Sequence, residues 1–301
     1  MESKQRKPLS LKSGSFALFL STLWSANPVA TKAGLLDCGP LTYGFLRFIL
    51  GGIVNLIWAI STKKSFKIKR KEYIPLLLLG LLFSIQLAFL NFGQDLTSAG
   101  HGVIMISTFP LWTSIFAHIF VQNDKLTKIR FSGILIAYLG VIIVFSKAIL
   151  EESNSNNIFI GDILMITSAI LLGFRQVYIS QLGQTISLHK LLLAQSLFGI
   201  ISFGFGAIIF HNSEIFVLSK QLLVSLVYTG IIIAGLGFIG NSWLLKNYLP
   251  SRVTILSLSQ PIFGVFFSWI ILGESIGFEL YFGSILVFIG SYLAQNNGKT
   301  K

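Results

Sequence analysis

Long apolar runs alternate along the chain with short polar, charged or glycine- and proline-containing breaks. A membrane-spanning helix needs about 20 largely apolar residues, and a window of that length gives ten segments. The runs lack the sustained period-two alternation of barrel strands. The pattern therefore predicts an all-α integral membrane protein of about ten transmembrane helices. The predicted spans are 14–35, 40–61, 73–93, 98–122, 130–147, 159–181, 189–210, 221–244, 252–272 and 278–296.

The end of the second half repeats the end of the first. In both places an apolar span with a proline is followed by an acidic residue and then by a span with two glycines seven residues apart. Glycines at that spacing lie on one helix face and let another helix approach closely. The aligned residues are Pro110 with Pro261 at a shift of 151, and Asp124, Gly133 and Gly140 with Glu274, Gly283 and Gly290 at a shift of 150.

A second match lies earlier in each half, where Gly51 aligns with Gly199 at a shift of 148 and Arg47 falls opposite Gln195. Each half contains five predicted spans, and an odd number makes the second copy enter the membrane from the opposite side. We therefore expect two inverted five-helix repeats, which give two related conformations, one open to each side. The predicted units are a basic tail at 1–13, a first repeat at 14–147, a loop at 148–158, a second repeat at 159–296 and a tail at 297–301.

Composition supports a lipid environment, because 53% of the 301 residues are hydrophobic and only 11% are charged. The net charge of +12 comes from short clusters between apolar runs. With the N-terminus in the cytoplasm, eighteen of the 23 lysines and arginines fall on the cytoplasmic side, as the positive-inside bias requires. We therefore predict a multi-pass protein of the inner cell membrane with both termini in the cytoplasm.

Several function classes lack their sequence signals. The chain lacks the combined aromatic and basic motifs of nucleic-acid recognition. The single cysteine, Cys38, cannot form an intramolecular disulfide and offers no metal-ligand spacing. Gly235, Gly237 and Gly240 have the spacing of a dinucleotide fingerprint, but they lie in an apolar run without a preceding strand, which indicates helix packing. We expect no cofactor, no metal and no nucleic acid, with a small-molecule substrate and membrane lipid as partners of a monomer or weak homodimer.

At this point the sequence resembles the EamA-type family of the drug/metabolite transporter superfamily. The features are Trp24-Ser25-Ala26-Asn27, Pro40 followed by Arg47, the alanine-rich start of the fourth span, the prolines of the fourth and ninth spans, and Leu272-Gly273-Glu274-Ser275-Ile276 before Gly283 and Gly290. The resemblance runs from about Phe16 to Ala294. It implies ten spans, inverted repeats, cytoplasmic termini and transport of amino acids, other metabolites or drugs, often outward. The first repeat departs from the acidic signature with Asn123-Asp124-Lys125-Leu126, which keeps the charge.

Two arginines lie inside predicted spans, where an unpaired charge costs roughly 2.5 kcal/mol or more. Arg47 either contacts an anionic solute, or it snorkels to the outer surface or pairs with a helix C-terminus. Arg175 either lines a cavity with Gln176 and Tyr178, or forms a fixed tie to a carbonyl or to Asp162.

In the first span, Pro28 frees the carbonyl of Trp24, which indicates either a kinked ligand site with Asn27 or a packing kink.

Amides and aromatic residues in other spans are further candidates for a cavity suited to a neutral or zwitterionic solute. The predicted substrate-binding residues are Trp24, Asn27, Arg47, Asn91, Gln94, Trp112, Arg175, Gln176, Tyr178, Asn241, Trp243 and Gln260. The predicted structural residues are Pro28, Pro110, Pro261, Gly133, Gly140, Gly283, Gly290, Asp124 and Glu274. His101 and Asp95 could take up a proton at an outer hairpin, although a solvated loop is the simpler interpretation.

These features favour a secondary transporter, with export as the expected direction, of amino acids or related zwitterionic or anionic metabolites, working by alternating access of the two repeats. A channel or facilitator without coupling is the alternative. A lipid-modifying membrane enzyme is a weaker one, because the chain shows no paired acidic motif, His/Asp constellation or metal-ligand spacing at an interface.

Overall fold

The computed structural model describes residues 9–97, 99–144, 146, 156–210, 215–263 and 278–295, and every named element in these ranges is helical. The α-helices are α1 Leu11–Ser25, α2 Asn27–Leu35, α3 Pro40–Ser61, α4 Tyr73–Leu96, α5 Ala99–Ile106, α6 Phe109–Phe120, α7 Lys128–Val144, α8 Asn156–Leu182, α9 Leu188–Ile209, α10 Lys220–Leu226, α11 Phe238–Asn247, α12 Pro250–Ile255 and α13 Phe278–Gln295. A π-helix, Val227–Gly237, joins α10 to α11, and 3-10 turns occupy Arg70–Glu72 and Leu256–Ser259.

Local sequence explains where several helices begin. The Ser10 hydroxyl accepts a hydrogen bond from the Ser13 amide at the start of α1, and the Ser219 hydroxyl accepts one from the Leu222 amide at the start of α10. Pro40 opens α3, where its missing N–H would have no helical acceptor in any case. These caps satisfy donors that a helix end otherwise leaves free.

Six helical stretches are long and apolar enough to cross a membrane, counted over the described residues. They are Pro40–Ser61, Arg70–Leu96, Gly102–Phe120, Asn157–Leu182, Leu188–Ile209 and Lys220–Asn247. Large apolar side chains on their outer faces are exposed, among them Ile57, Phe205 and Ile208, as expected of surfaces that lipid covers. The chain is an all-α membrane protein, whereas the count of ten spans stays a prediction.

Two predicted spans are interrupted helices. The first breaks at Ala26, between α1 and α2, and the fourth breaks at Ser107 and Thr108, between α5 and α6. Both breaks lie just before a proline, Pro28 or Pro110, which cannot donate to the carbonyl one turn earlier. The features predicted at 147–155, at 264–272 in the ninth span, at Glu274 and at the tails 1–8 and 297–301 lie outside the described residues, as does residue 296 of the tenth span.

Helices α7 and α13, which lie in the predicted fifth and tenth spans, pack through the four predicted glycines. A Cβ atom built on Gly140 would lie 2.6 Å from the Gly283 carbonyl oxygen, and one on Gly133 would lie 2.7 Å from that of Gly290. The first glycine of each helix thus meets the second glycine of the other, so the helices run antiparallel. The shift of 150 takes Gly133 to Gly283 and Gly140 to Gly290, so it turns each of the two contacts into the other. A twofold axis between inverted repeats requires this exchange.

A second contact pair obeys the same relation. Gly80 in α4 lies against Phe198 in α9, and Gly230 in the π-helix lies against Leu50 in α3. Gly80 aligns with Gly230 at the shift of 150, and Leu50 aligns with Phe198 at the shift of 148, so one contact is the repeat of the other. Helices α3 and α9 also pack on each other, which places equivalent helices of the two halves side by side.

The glycines of the fingerprint-like spacing serve helix packing, as predicted. Gly235 lies against Val54 in α3, Gly237 lies against Trp24, and Gly240 lies against Phe16 and Leu20 in α1.

Asp124 anchors a buried polar network between the two halves. Arg130 Nη1 lies 3.2 Å from Asp124 Oδ1, and the side chains are 3% and 0% exposed. The Ser251 amide donates to Asp124 Oδ2 at 3.1 Å, the Ser251 hydroxyl bonds both side chains, and Arg130 Nε donates to the Ala294 carbonyl at 3.2 Å. The network therefore joins the segment before α7 to the start of α12 and the end of α13.

Candidate functional site

A cavity lies between the two halves, lined by residues from both. The space open to the centre of a water molecule is about 110 Å³, well above the roughly 10–15 Å³ that one water needs. Its wall mixes apolar side chains with amides and hydroxyls. Eight predicted substrate-binding residues line it: Trp24, Asn27, Arg47, Gln94, Arg175, Gln176, Asn241 and Gln260.

Interrupted helices supply much of the cavity wall. Trp24, Asn27 and Pro28 flank the break at Ala26, while Ser107 lies in the break between α5 and α6. In the second half, Ser257 lies in the 3-10 turn and Gln260 directly follows it. Interrupted helices are tolerated at membrane depth where they line a cavity, and transporters use them to present polar groups to solutes.

Arg47 reaches this cavity from the second span. Its side chain is 2% exposed, so it does not snorkel to a surface. Its Nη2 donates to Asn27 Oδ1 at 3.3 Å, whereas Nε and Nη1 are buried without a hydrogen-bond partner. A buried donor without a partner costs about 1–3 kcal/mol, and more for a charged group. The guanidinium is therefore prepared to donate to a bound acceptor.

Arg175 reaches the cavity from the sixth span. Its Nη1 donates to Gln195 Oε1 at 3.0 Å, and its guanidinium carbon lies 4.8 Å from the ring centre of Phe83 and 5.6 Å from that of Phe238. Its Nε is buried without a partner. Asp162, the alternative partner, accepts from Thr97 near the start of α8, about 20 Å from Arg175 along the helix axis. The predicted alternative of a contact between Arg175 and Asp162 is therefore wrong.

The two arginine sites are related by the internal repeat. The shift that aligns Gly51 with Gly199 also aligns Asn27 with Arg175 and Arg47 with Gln195. In the first half the arginine of the second span donates to the amide of the first span, and in the second half the order is reversed. Each half thus contributes one hydrogen-bonded guanidinium–amide pair to the cavity.

Amide side chains complete the polar part of the wall. Gln86 Nε2 donates to the Ser168 hydroxyl at 2.7 Å, and Gln86 Oε1 is buried without a partner. Asn241 Nδ2 donates to Gln176 Oε1 at 2.9 Å. Among the described residues no aspartate or glutamate lines the cavity, and the charged lining residues are Arg47 and Arg175. The site is positively charged.

Four predicted substrate-binding residues lie elsewhere in the structure. Asn91 donates from Nδ2 to the Pro40 carbonyl at 3.2 Å, and Trp112 packs against Gly173. Tyr178 stacks on Phe174 at 6.1 Å. Trp243 is 43% exposed. None of the four lines the cavity.

Sequence reasoning missed several lining residues, including Gln86, Gln195, Thr31 and Phe238. Gln195 carried a signal, because the repeat alignment places it opposite Arg47. Phe238 stacks on Trp24 at 6.3 Å, a contact across the repeats that no local pattern encodes.

Residues 12–146 and 159–295 each match the model of the EamA-like transporter family. Among curated proteins, the chain is 25% identical to a "probable amino-acid metabolite efflux pump" of Escherichia coli (strain K12), over 303 residues and 95% of each chain. The protein of that name in Salmonella typhimurium (strain LT2) is also 25% identical, over 302 residues and 95% of each chain. An "uncharacterized transporter", YoaV of Bacillus subtilis (strain 168), is 21% identical and covers 91% of this chain and 93% of its own.

One solved crystal structure superposes on the chain with a TM-score of 0.78 at 15% sequence identity. The superposition covers 94% of this chain and 98% of the other. At that identity the match shows a common fold.

Proposed function

Because this chain belongs to the EamA-like transporter family, we propose that it exports small amino-acid-like metabolites, zwitterionic or anionic, across the inner cell membrane. The chain is a multi-pass membrane transporter and not an enzyme. The relatives named as amino-acid metabolite efflux pumps support both the solute class and the outward direction.

The observation that carries the proposal is the buried, positively charged cavity between the two halves. Arg47 and Arg175 offer guanidinium donors that no described side chain fully satisfies, and carboxylates are the common acceptors for this fork of N–H groups. Neighbouring amides such as Gln86 supply acceptors for a solute's ammonium or hydroxyl group. The site therefore suits small polar solutes that carry at least one acidic group.

We infer that the solute moves by alternating access. Antiparallel packing of α7 on α13 and the central packing of α3 on α9 relate the halves by a twofold axis, so a rearrangement that opens one side has an equivalent that opens the other. The interrupted spans at Ala26 and at Ser107 lie on the cavity wall, where they can bend without breaking a continuous helix. The cavity stays in place while its exit changes side.

The proposed orientation places both termini in the cytoplasm. The basic segment at 63–71, between α3 and α4, then lies on the cytoplasmic face together with Lys125 and Lys128. This arrangement follows the positive-inside bias, and it fixes the direction called export.

The test is counterflow in proteoliposomes. Vesicles loaded with an unlabelled amino acid or amino-acid metabolite are diluted into its labelled form, and a panel of such solutes is compared. A carrier gives transient, saturable accumulation of label, whereas a pore gives equilibration without overshoot. Arg47→Gln should reduce the overshoot, while Lys71→Gln, which removes an exposed charge outside the cavity, should keep it. Absence of saturable flux for every solute contradicts the proposal.

A further inference from the structure

The cavity carries two positive charges and, among the described lining residues, no negative one. Arg47 is 2% exposed and Arg175 is 6% exposed. Charges so far from water need a counter-charge, because burying an ion without a partner costs far more than burying it with one. The polar neighbours that the structure provides, Asn27 and Gln195, are neutral.

The free donors are distributed over both arginines. Arg47 has Nε and Nη1 without partners, and Arg175 has Nε without a partner. Arg175 is held by Gln195 and between Phe83 and Phe238, so its position is fixed before a solute arrives. These donors come from two helices, α3 and α8, so a solute with two acidic groups can give each guanidinium its own acceptor.

A zwitterion, a monoanion and a dianion differ in how much of the cavity's positive charge they balance. A zwitterion brings no net charge and leaves the occupied cavity with two unbalanced positive charges. A monoanion leaves one. A dianion leaves none, and its two acidic groups provide an acceptor for each guanidinium.

Resting on the export function proposed above, we propose that the preferred solute is a small dianion whose two acidic groups bind one to Arg47 and one to Arg175. The cavity wall also carries apolar and aromatic side chains, among them Trp24, Phe238 and Leu87. A short hydrocarbon linker between the acidic groups fits such a wall. Short dicarboxylates have this chemistry.

The experiment compares probes that differ in one charge. Labelled succinate is measured by counterflow against its half-amide, succinamate, and against alanine, with malonate and glutarate as competitors that vary the spacing. The wild-type protein should transport succinate at least about tenfold faster than succinamate at equal, subsaturating concentrations, because each charge-assisted hydrogen bond contributes substantially.

Variants then assign the charges. Arg47→Gln or Arg175→Gln should lower the succinate-to-succinamate ratio by about tenfold, since one acidic group loses its partner. Arg47→Lys keeps the charge and should retain most of the ratio. A purely structural role for either arginine would lower both rates together and leave the ratio unchanged, which overturns the proposal. Monodisperse elution of each purified variant shows that it is folded.

The outcomes distinguish the dianion proposal from the broader proposal that the protein exports metabolites. Saturable counterflow of alanine with no preference for succinate keeps the export function and overturns the dianion. Preference for succinate in the wild type that persists in both glutamine variants also overturns it. Absence of flux for succinate, succinamate, alanine and the wider panel overturns the export function and, with it, the solute class.

Discussion

Gly140→Ala should weaken the contact between α7 and α13. A Cβ atom at this position would lie 2.6 Å from the Gly283 carbonyl oxygen and 2.9 Å from the Val287 amide nitrogen. Non-bonded heavy atoms prefer a separation of about 3.5 Å, so α7 and α13 would have to separate by roughly 0.9 Å. Both close neighbours are backbone atoms, which cannot rotate away, and overpacking of this kind costs about 1–3 kcal/mol.

Gly14→Ala is the matched control, because nothing lies within 4 Å of a Cβ atom at Gly14. Both substitutions gain up to about 1 kcal/mol of helix propensity, so the difference between the variants isolates the overpacking cost. At about 2–4 °C per kcal/mol, the apparent melting midpoint of Gly140→Ala should lie roughly 2–12 °C below that of Gly14→Ala. Both are measured in one detergent at one heating rate. Equal midpoints would refute the close antiparallel packing.

Two further substitutions test buried polar contacts by the same melting assay. Asp124→Asn removes the counter-charge of Arg130, which is 3% exposed, and should lower the free energy of unfolding by about 3–5 kcal/mol. An unchanged melting midpoint would mean that the network forms no stable link between the halves. Tyr43→Phe removes hydroxyl contacts to Ser225 at 2.8 Å and Thr229 at 2.9 Å and should cost about 1–3 kcal/mol. A more stable Tyr43→Phe protein would show that these contacts are absent.

The class of fold and the family could be predicted from the sequence, because apolar runs of span length admit few structures in lipid and because the repeat preserves its prolines and glycines at nearly constant shifts. The family resemblance is confirmed by the match over both halves. The spacing of Gly133 and Gly140 alone predicts helix packing, and the structure places both against α13. The domain boundaries and the number of spans stay predictions.

The cavity was harder to predict than the fold. Arg47 and Arg175 could be assigned to a protein interior because lipid cannot hold their charge. Asn91 has the same side chain as Asn241, its equivalent in the second half, yet it bonds the Pro40 carbonyl. The direction in which an amide points depends on the neighbouring helix, and the chain's own pattern does not encode it.

Some irregularities of the backbone could be predicted from the sequence, and others could not. The breaks before Pro28 and Pro110 follow from the missing proline N–H. The π-helix Val227–Gly237 has no such marker, because its sequence is largely apolar; its Gly230 and Ala234 pack against α3. Helices of that type occur often at functional sites, and this one lies against the segment that carries Arg47.

Cysteine accessibility from both faces of the membrane tests alternating access around the cavity most directly. Cys38, the single cysteine, is replaced by alanine, and Ser21→Cys introduces a thiol on the cavity wall, where Ser21 is 3% exposed. Lys71→Cys is the control, since its exposed position lies on one face only. With transported solute present, Ser21→Cys should react with a membrane-impermeant thiol reagent added to either face, while Lys71→Cys reacts from one. Reaction of Ser21→Cys from a single face under every solute condition would contradict the account.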